Sequence, residues 1–432
     1  MTTDTIIDDV ACTRCACVCD DLRLVVRDDR IVEAERACHL ARDWYLAQNS
    51  IAPAAAFIQG RPAEYADAVN ESARLLTEAK SPLIYGLSRS STDGQRAAVR
   101  LADRLGATID TTASEGHAPS LMALQQTGES TCSLGEIRHR ADLVIFWGAD
   151  PETTHPRHLE RYSLWPQGEW TPNGRSDRTL VVVDSRTTRN QTRTHADLSI
   201  ELQNGSDFEA LWLLRAWLKG VDTGPFPEHL PVEQLRELLE RMKSCRCGVI
   251  FFGYGLARQP AGHRVVEAVL QLTTDLNGVT RFHARRMRML GDVAGADNVL
   301  CWQTGFPFAV NLSRGYPRYN PGEYSASDVL ARGEADVVLF VGSDRIADFS
   351  SKAREELDRI PTILIDPPRT EPLWTGHPTV QFTTAIYGVH LPGTAYRMDD
   401  IPIPLRAALP TRYPSDADVL RAIQEKVLST RY

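Results

Sequence analysis

Four cysteines near the start of the chain have a spacing that suits metal coordination. Cys12, Cys15 and Cys19 form a C-x2-C-x3-C run, and Cys38 follows after a gap of eighteen residues. A cubane iron–sulfur cluster needs one thiolate for each iron, and a short run with a distant fourth cysteine lets the chain wrap around the cube. We therefore expect these four cysteines to bind a 4Fe–4S cluster.

The same cysteines admit two other interpretations. A tetrahedral zinc ion also accepts four thiolates, and a chain that binds no metal is the third alternative. Cys17 lies between the expected ligands and could compete for a metal. The remaining cysteines are scattered, and we expect them to be thiols without chemistry: Cys132, Cys245, Cys247 and Cys301.

Two short strands must bring Cys38 back to the other three thiols. Apolar and β-branched residues dominate 22–26 and 31–34, and the turn Asp28-Asp29-Arg30 separates them. This pattern predicts a β-hairpin. Because a hairpin folds back on itself, it explains how a cysteine eighteen residues away can return to the first three.

Downstream of residue 81, short apolar segments alternate with longer amphipathic ones, which predicts parallel sheets with helices on both faces. The expected strands are 82–86, 143–148, 180–184, 198–202, 249–253, 337–342 and 362–366. The expected helices are 92–105, 207–219, 232–243, 262–277 and 350–359.

An internal repeat organises this region. Residues 141–150 read Ala-Asp-Leu-Val-Ile-Phe-Trp-Gly-Ala-Asp, and residues 335–344 read Ala-Asp-Val-Val-Leu-Phe-Val-Gly-Ser-Asp. A second strand that ends in aspartate follows each copy, at 180–184 and 362–366. Ligands of doubly wound sheets bind at the carboxyl ends of strands. The repeat thus predicts a two-lobed site for nucleotide-like groups, contacted by the aspartates that end the strands: Asp150, Asp184, Asp344 and Asp366.

Bulk composition excludes several classes of protein. The net charge of -8 argues against a general nucleic-acid binder, which needs a basic surface. The wholly apolar runs are too short to span a bilayer, and the first ten residues are acidic without an apolar stretch. We expect a cytoplasmic protein that contacts neither nucleic acid nor membrane.

Four segments resemble one known family. They are Cys-Thr-Arg-Cys-Ala-Cys-Val-Cys-Asp-Asp at 12–21, Cys-Trp-Gln-Thr-Gly-Phe-Pro-Phe-Ala-Val at 301–310, Ser-Arg-Gly-Tyr-Pro-Arg-Tyr-Asn-Pro-Gly-Glu at 313–323 and Gly-Thr-Ala-Tyr-Arg-Met-Asp at 393–399. Together they resemble the B subunit of formylmethanofuran dehydrogenase over nearly the whole chain. The resemblance implies a molybdopterin-oxidoreductase-like α/β fold with two related doubly wound parallel-sheet domains and a small N-terminal β-rich cysteine module. The expected bounds are 1–55 for the cysteine module, 56–240 and 241–390 for the two α/β domains, with 141–202 repeated in 335–382, and 391–432 for the tail.

The resemblance also locates a lost metal site. Members of the family bind molybdenum or tungsten through a cysteine or selenocysteine that precedes a histidine. The matching segment, 113–119, reads Ala-Ser-Glu-Gly-His-Ala-Pro, which places Gly116 at the ligand position and retains His117. The family's catalytic arginine aligns with Arg288, or alternatively with Arg286. Because glycine cannot supply the soft thiolate that this metal chemistry uses, we expect molybdopterin guanine dinucleotide and Mo or W to be absent.

The loss of that ligand changes the functional expectation. The chain resembles the non-redox paralogue of methylotrophic bacteria, the beta subunit of the formyltransferase/hydrolase complex. The resemblance implies partners of three kinds, an alpha hydrolase, a formyltransferase and a gamma subunit, with a methanofuran-like carrier nearby. The flow of formyl groups would run from formyl-tetrahydromethanopterin to formate. The alternative is a redox-active formylmethanofuran dehydrogenase subunit with a metal-pterin and a 4Fe–4S cluster, which is the oxidoreductase class of the homologues.

Two further segments leave alternatives open. Arg281, Arg285, Arg286 and Arg288 form a basic cluster around His283. It suits binding of phosphates or of an anionic chain such as polyglutamate. The alternatives are an exposed basic loop and a loop satisfied by carboxylates of the protein itself. The stretch 302–323 is rich in aromatic residues and proline. We expect it to be either a buried irregular segment or a surface that faces a partner.

Overall fold

The computed structural model describes residues 4–221, 224–369, 374 and 376–430. Its strands are β1 (Thr5–Val10), β2 (Leu22–Arg27), β3 (Arg30–Glu35), β4 (Ala56–Ile58), β5 (Arg61–Pro62), β6 (Pro82–Gly86), β7 (Thr108–Thr111), β8 (Leu143–Trp147), β9 (Thr179–Ser185), β10 (Leu198–Leu202), β11 (Cys247–Phe252), β12 (Arg281–Arg286), β13 (Val310–Asn311), β14 (Arg318–Tyr319), β15 (Val337–Val341), β16 (Thr362–Asp366), β17 (Val380–Thr383), β18 (Gly393–Tyr396) and β19 (Pro402–Leu405).

The helices are α1 (Arg42–Leu46), α2 (Tyr65–Glu78), α3 (Thr92–Leu105), α4 (Ala118–Thr127), α5 (Leu134–Arg140), α6 (Pro151–Thr154), α7 (Asp207–Leu218), α8 (Val232–Ser244), α9 (Tyr254–Ala257), α10 (Gly262–Leu276), α11 (Val293–Thr304), α12 (Ala326–Ala331), α13 (Ser351–Leu357) and α14 (Asp416–Thr430). Within the described residues, no helix combines the length and the apolar character needed to cross a bilayer.

The chain folds into two compact units. Unit 1 comprises Met1–Glu115 and Leu290–Tyr432, and unit 2 comprises Gly116–Met289. This division differs from the expected domain bounds of 56–240 and 241–390. The physical reason is strand pairing: β11 lies beside β8 in one parallel ladder, and β6 lies beside β15 in another. A boundary at residue 240 would separate strands that are hydrogen-bonded to each other.

Unit 2 is built around a five-stranded parallel sheet in the order β10-β9-β8-β11-β12. The side chains of β8 are buried throughout, as expected for a strand covered on both faces. Helices α7, α8 and α10 pack on the sheet through apolar residues spaced three and four apart, such as Val265, Val269, Leu272 and Leu276 of α10. The predicted α/β class with parallel sheets is confirmed.

Unit 1 contains a nine-stranded mixed sheet in the order β14-β13-β7-β6-β15-β16-β17-β4-β5. Its central strands, β7-β6-β15-β16-β17, are parallel. They match β12-β11-β8-β9-β10 of unit 2 position by position. The correspondence therefore extends past the repeat visible in the sequence, because β6–α3–β7 has the same placement as β11–α10–β12.

The N-terminal part of unit 1 is a three-stranded antiparallel sheet in the order β1-β2-β3. Strands β2 and β3 form a hairpin whose turn holds Asp28 and Asp29, both with positive φ. Leu22, Leu24 and Val26 alternate with more exposed residues along β2, which is the pattern of a half-buried strand. The hairpin leads directly to Cys38.

Candidate functional site

The four N-terminal thiols converge at one end of the small sheet. Cys12, Cys15 and Cys19 lie on the loop between β1 and β2, and this loop is closed by a hydrogen bond from the Cys12 N–H to the Cys19 carbonyl, 2.8 Å. The hairpin returns Cys38 to within electrostatic range of the other three. The loop and the hairpin thus bring cysteines from two distant parts of the sequence near one another.

Backbone N–H groups point at several of these sulfurs. In three cases the donor is the residue two positions further on: Arg14 to Cys12, Cys17 to Cys15, and Leu40 to Cys38. The nitrogen of Arg14 lies 3.5 Å from the Cys12 sulfur. Such N–H groups are of the kind that tune iron–sulfur centres. At Cys12 and Cys38 burial outweighs them and raises the pKa of the thiol.

Cys17 acts on its neighbours as a hydrogen-bond donor. The Cys17 thiol lowers the pKa of Cys15 by bonding to its sulfur. The same contact, a second one to Cys19 and burial raise the pKa of Cys17 well above its usual range. Cys17 is therefore the thiol that keeps its proton in its pair with Cys15. In the described part of the chain, no group of three or more His, Cys, Asp or Glu side chains is placed to hold a metal ion, so the four ligands remain a prediction.

An arginine fastens the cysteine loop to the large sheet of unit 1. The Arg89 guanidinium donates to the carbonyls of Thr13, 2.8 Å, and Arg14, 3.0 Å. Its Nε lies 3.3 Å from the carboxylate of Asp344. Arg14 in turn donates to the carbonyl of Leu40, 3.2 Å away and two residues after Cys38. The loops that carry the thiols are thereby held by the protein itself.

Asp344 and Asp366 meet across the side chain of Arg369, which lies 3.4 Å from Asp344 and 3.0 Å from Asp366. Burial raises the pKa of Asp344, but Arg89 and Arg369 outweigh it and hold the pKa below its usual range. At Asp366 the effect of burial is larger than that of Arg369, so the pKa of this carboxyl is raised. The structure therefore brings two of the predicted aspartates together, as partners of arginines.

A cavity opens beside this cluster, where the strand order of unit 1 reverses between β6 and β15. Ligands of parallel α/β sheets bind at such reversals. Its lining includes three guanidinium-bearing residues, an aromatic ring and two loop residues: Arg14, Arg89, Arg369, Trp44, Thr13 and Gly342. Asp416 also lines the cavity, and Arg89 and Arg369 pair with Asp344 and Asp366, so the arginines already face carboxylates of the protein.

In unit 2 the other two predicted aspartates bind loops of the protein. Asp150 accepts hydrogen bonds from Thr153, from the Gln191 N–H and from Thr192. Burial raises the pKa of Asp150, but these bonds outweigh it and hold the pKa below its usual range. Asp184 accepts from the Asn190 side chain, 2.8 Å, and from the N–H that follows it. Their expected contact with a cofactor remains a prediction.

Gly116 and His117 lie at the start of α4, in contact with Tyr254. A Cβ added to Gly116 would overlap the ring of Tyr254. The His117 ring stacks on the same tyrosine, with 4.8 Å between centroids and 29° between planes. His117 Nε2 accepts the N–H of Met289, 3.4 Å away. The retained histidine is thus packed against an aromatic ring.

The basic cluster lies on β12, which is exposed at Arg281 and buried toward its other end, and on the turn after it. Arg285, Arg286 and Arg288 are buried, whereas Arg281 is exposed, so most of the cluster does not form an exposed loop. Arg286 pairs with the buried carboxylate of Glu129, 3.2 Å away. A carboxylate of the protein therefore compensates part of the positive charge of this cluster.

Arg288 is tied through its backbone to a buried histidine. The Nε2 atom of His155 lies 2.7 Å from the Arg288 carbonyl. Burial lowers the pKa of His155 to about 4, so the ring is neutral near pH 7 and donates this proton to the carbonyl. Its Nδ1 lies 2.8 Å from the hydroxyl of Thr154, which also lies 2.8 Å from the Asp150 carbonyl. The turn that carries Arg288 is positioned by His155.

The sequence pattern did not indicate Tyr254, Glu129, Arg89 or Arg369 as residues of the site. A signal for Tyr254 was present, because Gly253-Tyr254-Gly255 directly follows a buried strand, where doubly wound sheets place ligand-contacting turns. No comparable pattern marks the other three residues. Arg89 and Glu129 pair with side chains that are far away in the sequence, Asp344 and Arg286, and only folding brings them together.

No family model matches the chain. It is 39% identical to the B subunit of the tungsten-containing formylmethanofuran dehydrogenase 2 of Methanocaldococcus jannaschii, and the match covers 98% of each chain. It is 36% identical to the protein of the same name in Methanococcus maripaludis, over 97% of this chain and 98% of that protein.

A more distant match is the Fhc B subunit of the formyltransferase/hydrolase complex of Methylorubrum extorquens, with 27% identity over 67% of this chain and 75% of that protein. A chain in the crystal structure of that complex, FhcABCD with methylofuran, superimposes with a TM-score of 0.71 at 23% identity. The superposition covers 87% of this chain and 99% of that one. At this identity it establishes a shared fold.

Proposed function

We propose that this chain, which belongs to the family of the formylmethanofuran dehydrogenase B subunit, is a non-redox member of a formyltransferase/hydrolase complex in one-carbon metabolism. In this role it supports subunits that convert formyl-tetrahydromethanopterin to formate through a methanofuran-like carrier. The chain itself carries out no redox step.

Gly116 is the observation that carries the proposal. By the family resemblance it stands at the position of the metal ligand, and glycine offers no donor atom there. Molybdenum and tungsten in this chemistry use a soft thiolate. The neighbouring Tyr254 ring fills the space that a ligand side chain would need. The residues present therefore do not fit a molybdenum or tungsten centre.

We propose three partners: an alpha hydrolase subunit, a formyltransferase subunit and a gamma subunit. The names of the relatives support a place in a complex, because each is a subunit. Trp302 and Tyr316 are each 53% exposed, in the stretch that the sequence marked as a partner-facing candidate. Large aromatic side chains are enriched in protein interfaces, so this surface is a reasonable place for one of the contacts.

For the N-terminal thiols we propose a 4Fe–4S cluster held by Cys12, Cys15, Cys19 and Cys38. Support comes from their convergence and from the N–H groups directed at the sulfurs. When bound, such a cluster supplies one-electron transfer. Without a metal centre to receive electrons, we assign it a structural role in this chain.

We further propose that the two units are doubly wound lobes of a molybdopterin-oxidoreductase ancestor that no longer hold pterin guanine dinucleotides. The matching strand orders of the two units support this origin. The four strand-end aspartates now bind arginines, amides and hydroxyls of the protein. In this proposal they preserve loops that once contacted a cofactor.

A redox-active subunit with a metal-pterin and a 4Fe–4S cluster is the second candidate. It is favoured by the names of the relatives at 39% and 36% identity, which are tungsten-containing enzymes. The chain also retains His117 and Arg288. Both candidates predict a role in one-carbon metabolism, so growth phenotypes do not separate them.

An assay of the purified complex separates the two candidates. Formylated carrier is supplied, and formate release and viologen-dye reduction are followed in the same samples. The proposal predicts formate release without dye reduction. Dye reduction accompanied by carbon dioxide in place of formate would establish the redox candidate instead, because oxidation of a formyl group to carbon dioxide releases two electrons.

A further inference from the structure

The turn after β11 places an aromatic ring beside Gly116. A Cβ on Gly116 would overlap the Tyr254 ring and lie 2.5 Å from its hydroxyl oxygen, closer than real Cβ atoms approach any heavy atom. The φ angle of Gly116 is outside the left-handed region, so the backbone would accept a side chain. The ring of Tyr254, rather than backbone strain, excludes one.

Contacts on several sides hold this ring in place. The imidazole of His117 stacks on it, and the guanidinium of Arg258 lies 4.8 Å from its centroid. Directly after the tyrosine, the Gly255 N–H donates to the Gly148 carbonyl, 3.1 Å away. A Cβ on Gly255 would overlap Gly148, so this turn is packed closely against the end of β8. Tyr254 is thereby built into unit 2.

We propose that Tyr254 closes the former metal position, so that unit 2 has replaced a thiolate beside His117 with a packed Tyr254–His117 pair. This inference rests on the proposed function and deepens it. Loss of the metal site then involves two residues, because a cysteine at position 116 has no room while Tyr254 is present. Restoring the metal ligand requires a smaller residue at 254 as well.

A double-mutant cycle on the full chain tests this packing. The melting temperature is measured for the wild type, Gly116→Ala, Tyr254→Ala and the double variant. Overpacking a site of this kind should lower the melting temperature of Gly116→Ala by roughly 3–10 °C. In the Tyr254→Ala background the same methyl group should cost no more than about 2 °C, because the clashing ring is gone.

Two matched variants sharpen the cycle. Gly135→Ala adds a methyl group at a helical position of unit 2 where the nearest atom is 3.6 Å away, and it should leave the melting temperature nearly unchanged. Tyr254→Phe keeps the ring, so it should keep the full penalty of Gly116→Ala. If Gly116→Ala does not fold, recovery of folded protein by adding Tyr254→Ala supports the proposal.

The proposal is overturned if Gly116→Ala is no more harmful than Gly135→Ala, or if Tyr254→Ala gives no rescue. Both outcomes are independent of metal content. Stoichiometric tungsten or molybdenum in the wild type would instead overturn the proposed function. The two failures are therefore distinguishable.

Discussion

The guanidinium of Arg89 lies 3.3 Å from the carboxylate of Asp344, at the end of β15. The same group donates to two carbonyls of the loop that carries Cys12 and Cys15. One side chain thus connects the large sheet of unit 1 to the thiol loop. The position of these thiols is determined by contacts of the protein as well as by any metal they bind.

Replacing Arg89 should loosen the thiol loop. Arg89→Gln removes the ion pair and the two donations to carbonyls, each worth about 1 kcal/mol. We expect amide hydrogen exchange across 12–19 to accelerate roughly tenfold or more, together with a lower iron content. Exchange is measured by mass spectrometry and iron by elemental analysis.

Arg96→Gln is the matched control for this change, since Arg96 is an exposed residue of α3 in the same unit. It should leave exchange across 12–19 unchanged. Equal exchange in the two variants would show that Arg89 does not hold the loop.

Cys17 and Cys15 should respond differently to substitution. Cys17→Ser keeps a hydrogen-bond donor to its neighbours, whereas Cys15→Ser removes a proposed ligand. We expect iron and acid-labile sulfide per chain to stay close to wild type in Cys17→Ser and to fall to less than about half in Cys15→Ser. The reverse order would assign the ligand role to Cys17.

The buried pair Arg286–Glu129 should be costly to break. Glu129→Gln leaves the buried guanidinium without a countercharge and should lower the free energy of unfolding by about 3–5 kcal/mol. Replacing both residues with apolar ones, Glu129→Leu with Arg286→Met, should recover most of that loss. Urea denaturation measures all three proteins.

An exposed ion pair provides the comparison. Arg241 and Glu237 are 2.7 Å apart on α8 and are both substantially exposed. Glu237→Gln should cost no more than about 0.5 kcal/mol. A similar cost for Glu129→Gln would show that burial adds nothing to the Arg286 pair.

His155 should make stability depend on pH in the acid range. Its pKa falls from an ordinary 6.5 to about 4 in the folded chain, so the unfolded chain binds the extra proton between these values. The contribution of His155 to the free energy of unfolding should therefore be fully present above about pH 6.5. It should be lost as the pH falls toward 4, by on the order of 3 kcal/mol. Urea denaturation across this range measures the effect.

Other groups also make stability depend on pH in this range, so a variant is needed to isolate the contribution of His155. Burial raises the pKa of Asp110 to about 6, and this group has the opposite sign, because its folded form gains protons first as pH falls. His155→Gln should flatten the dependence by up to about 1.4 kcal/mol per pH unit between pH 4 and 6.5. An unchanged slope would mean that His155 titrates normally.

Much of the fold could be predicted from local pattern. The bounds expected for 82–86, 198–202, 362–366 and 92–105 coincide with β6, β10, β16 and α3. Apolar runs and helical periodicity are local properties of the sequence, so they can be recognised without knowing which segments pack against each other. The division into two units could not be predicted in the same way, because the pairing of β6 with β15 joins segments that are far apart in the chain.

The strand β12 shows where local pattern misleads. Its arginines suggested a loop, yet Phe282 and Ala284 alternate with them, and Glu129 compensates Arg286 in the interior. The candidate site likewise combines residues that the sequence indicated with residues that only the structure shows. Gly116 and His117 were visible through family resemblance, whereas the ring that fills the position comes from Tyr254, on another strand end, and only the folded chain brings it there.

The tungsten and molybdenum content of the purified complex tests the central claim most directly. The complex is isolated from cells supplied with both metals and is analysed by mass spectrometry of the elements. Because Gly116 provides no metal ligand, we expect far less than one atom of either metal per chain. A value close to one atom of tungsten or molybdenum per chain would contradict it.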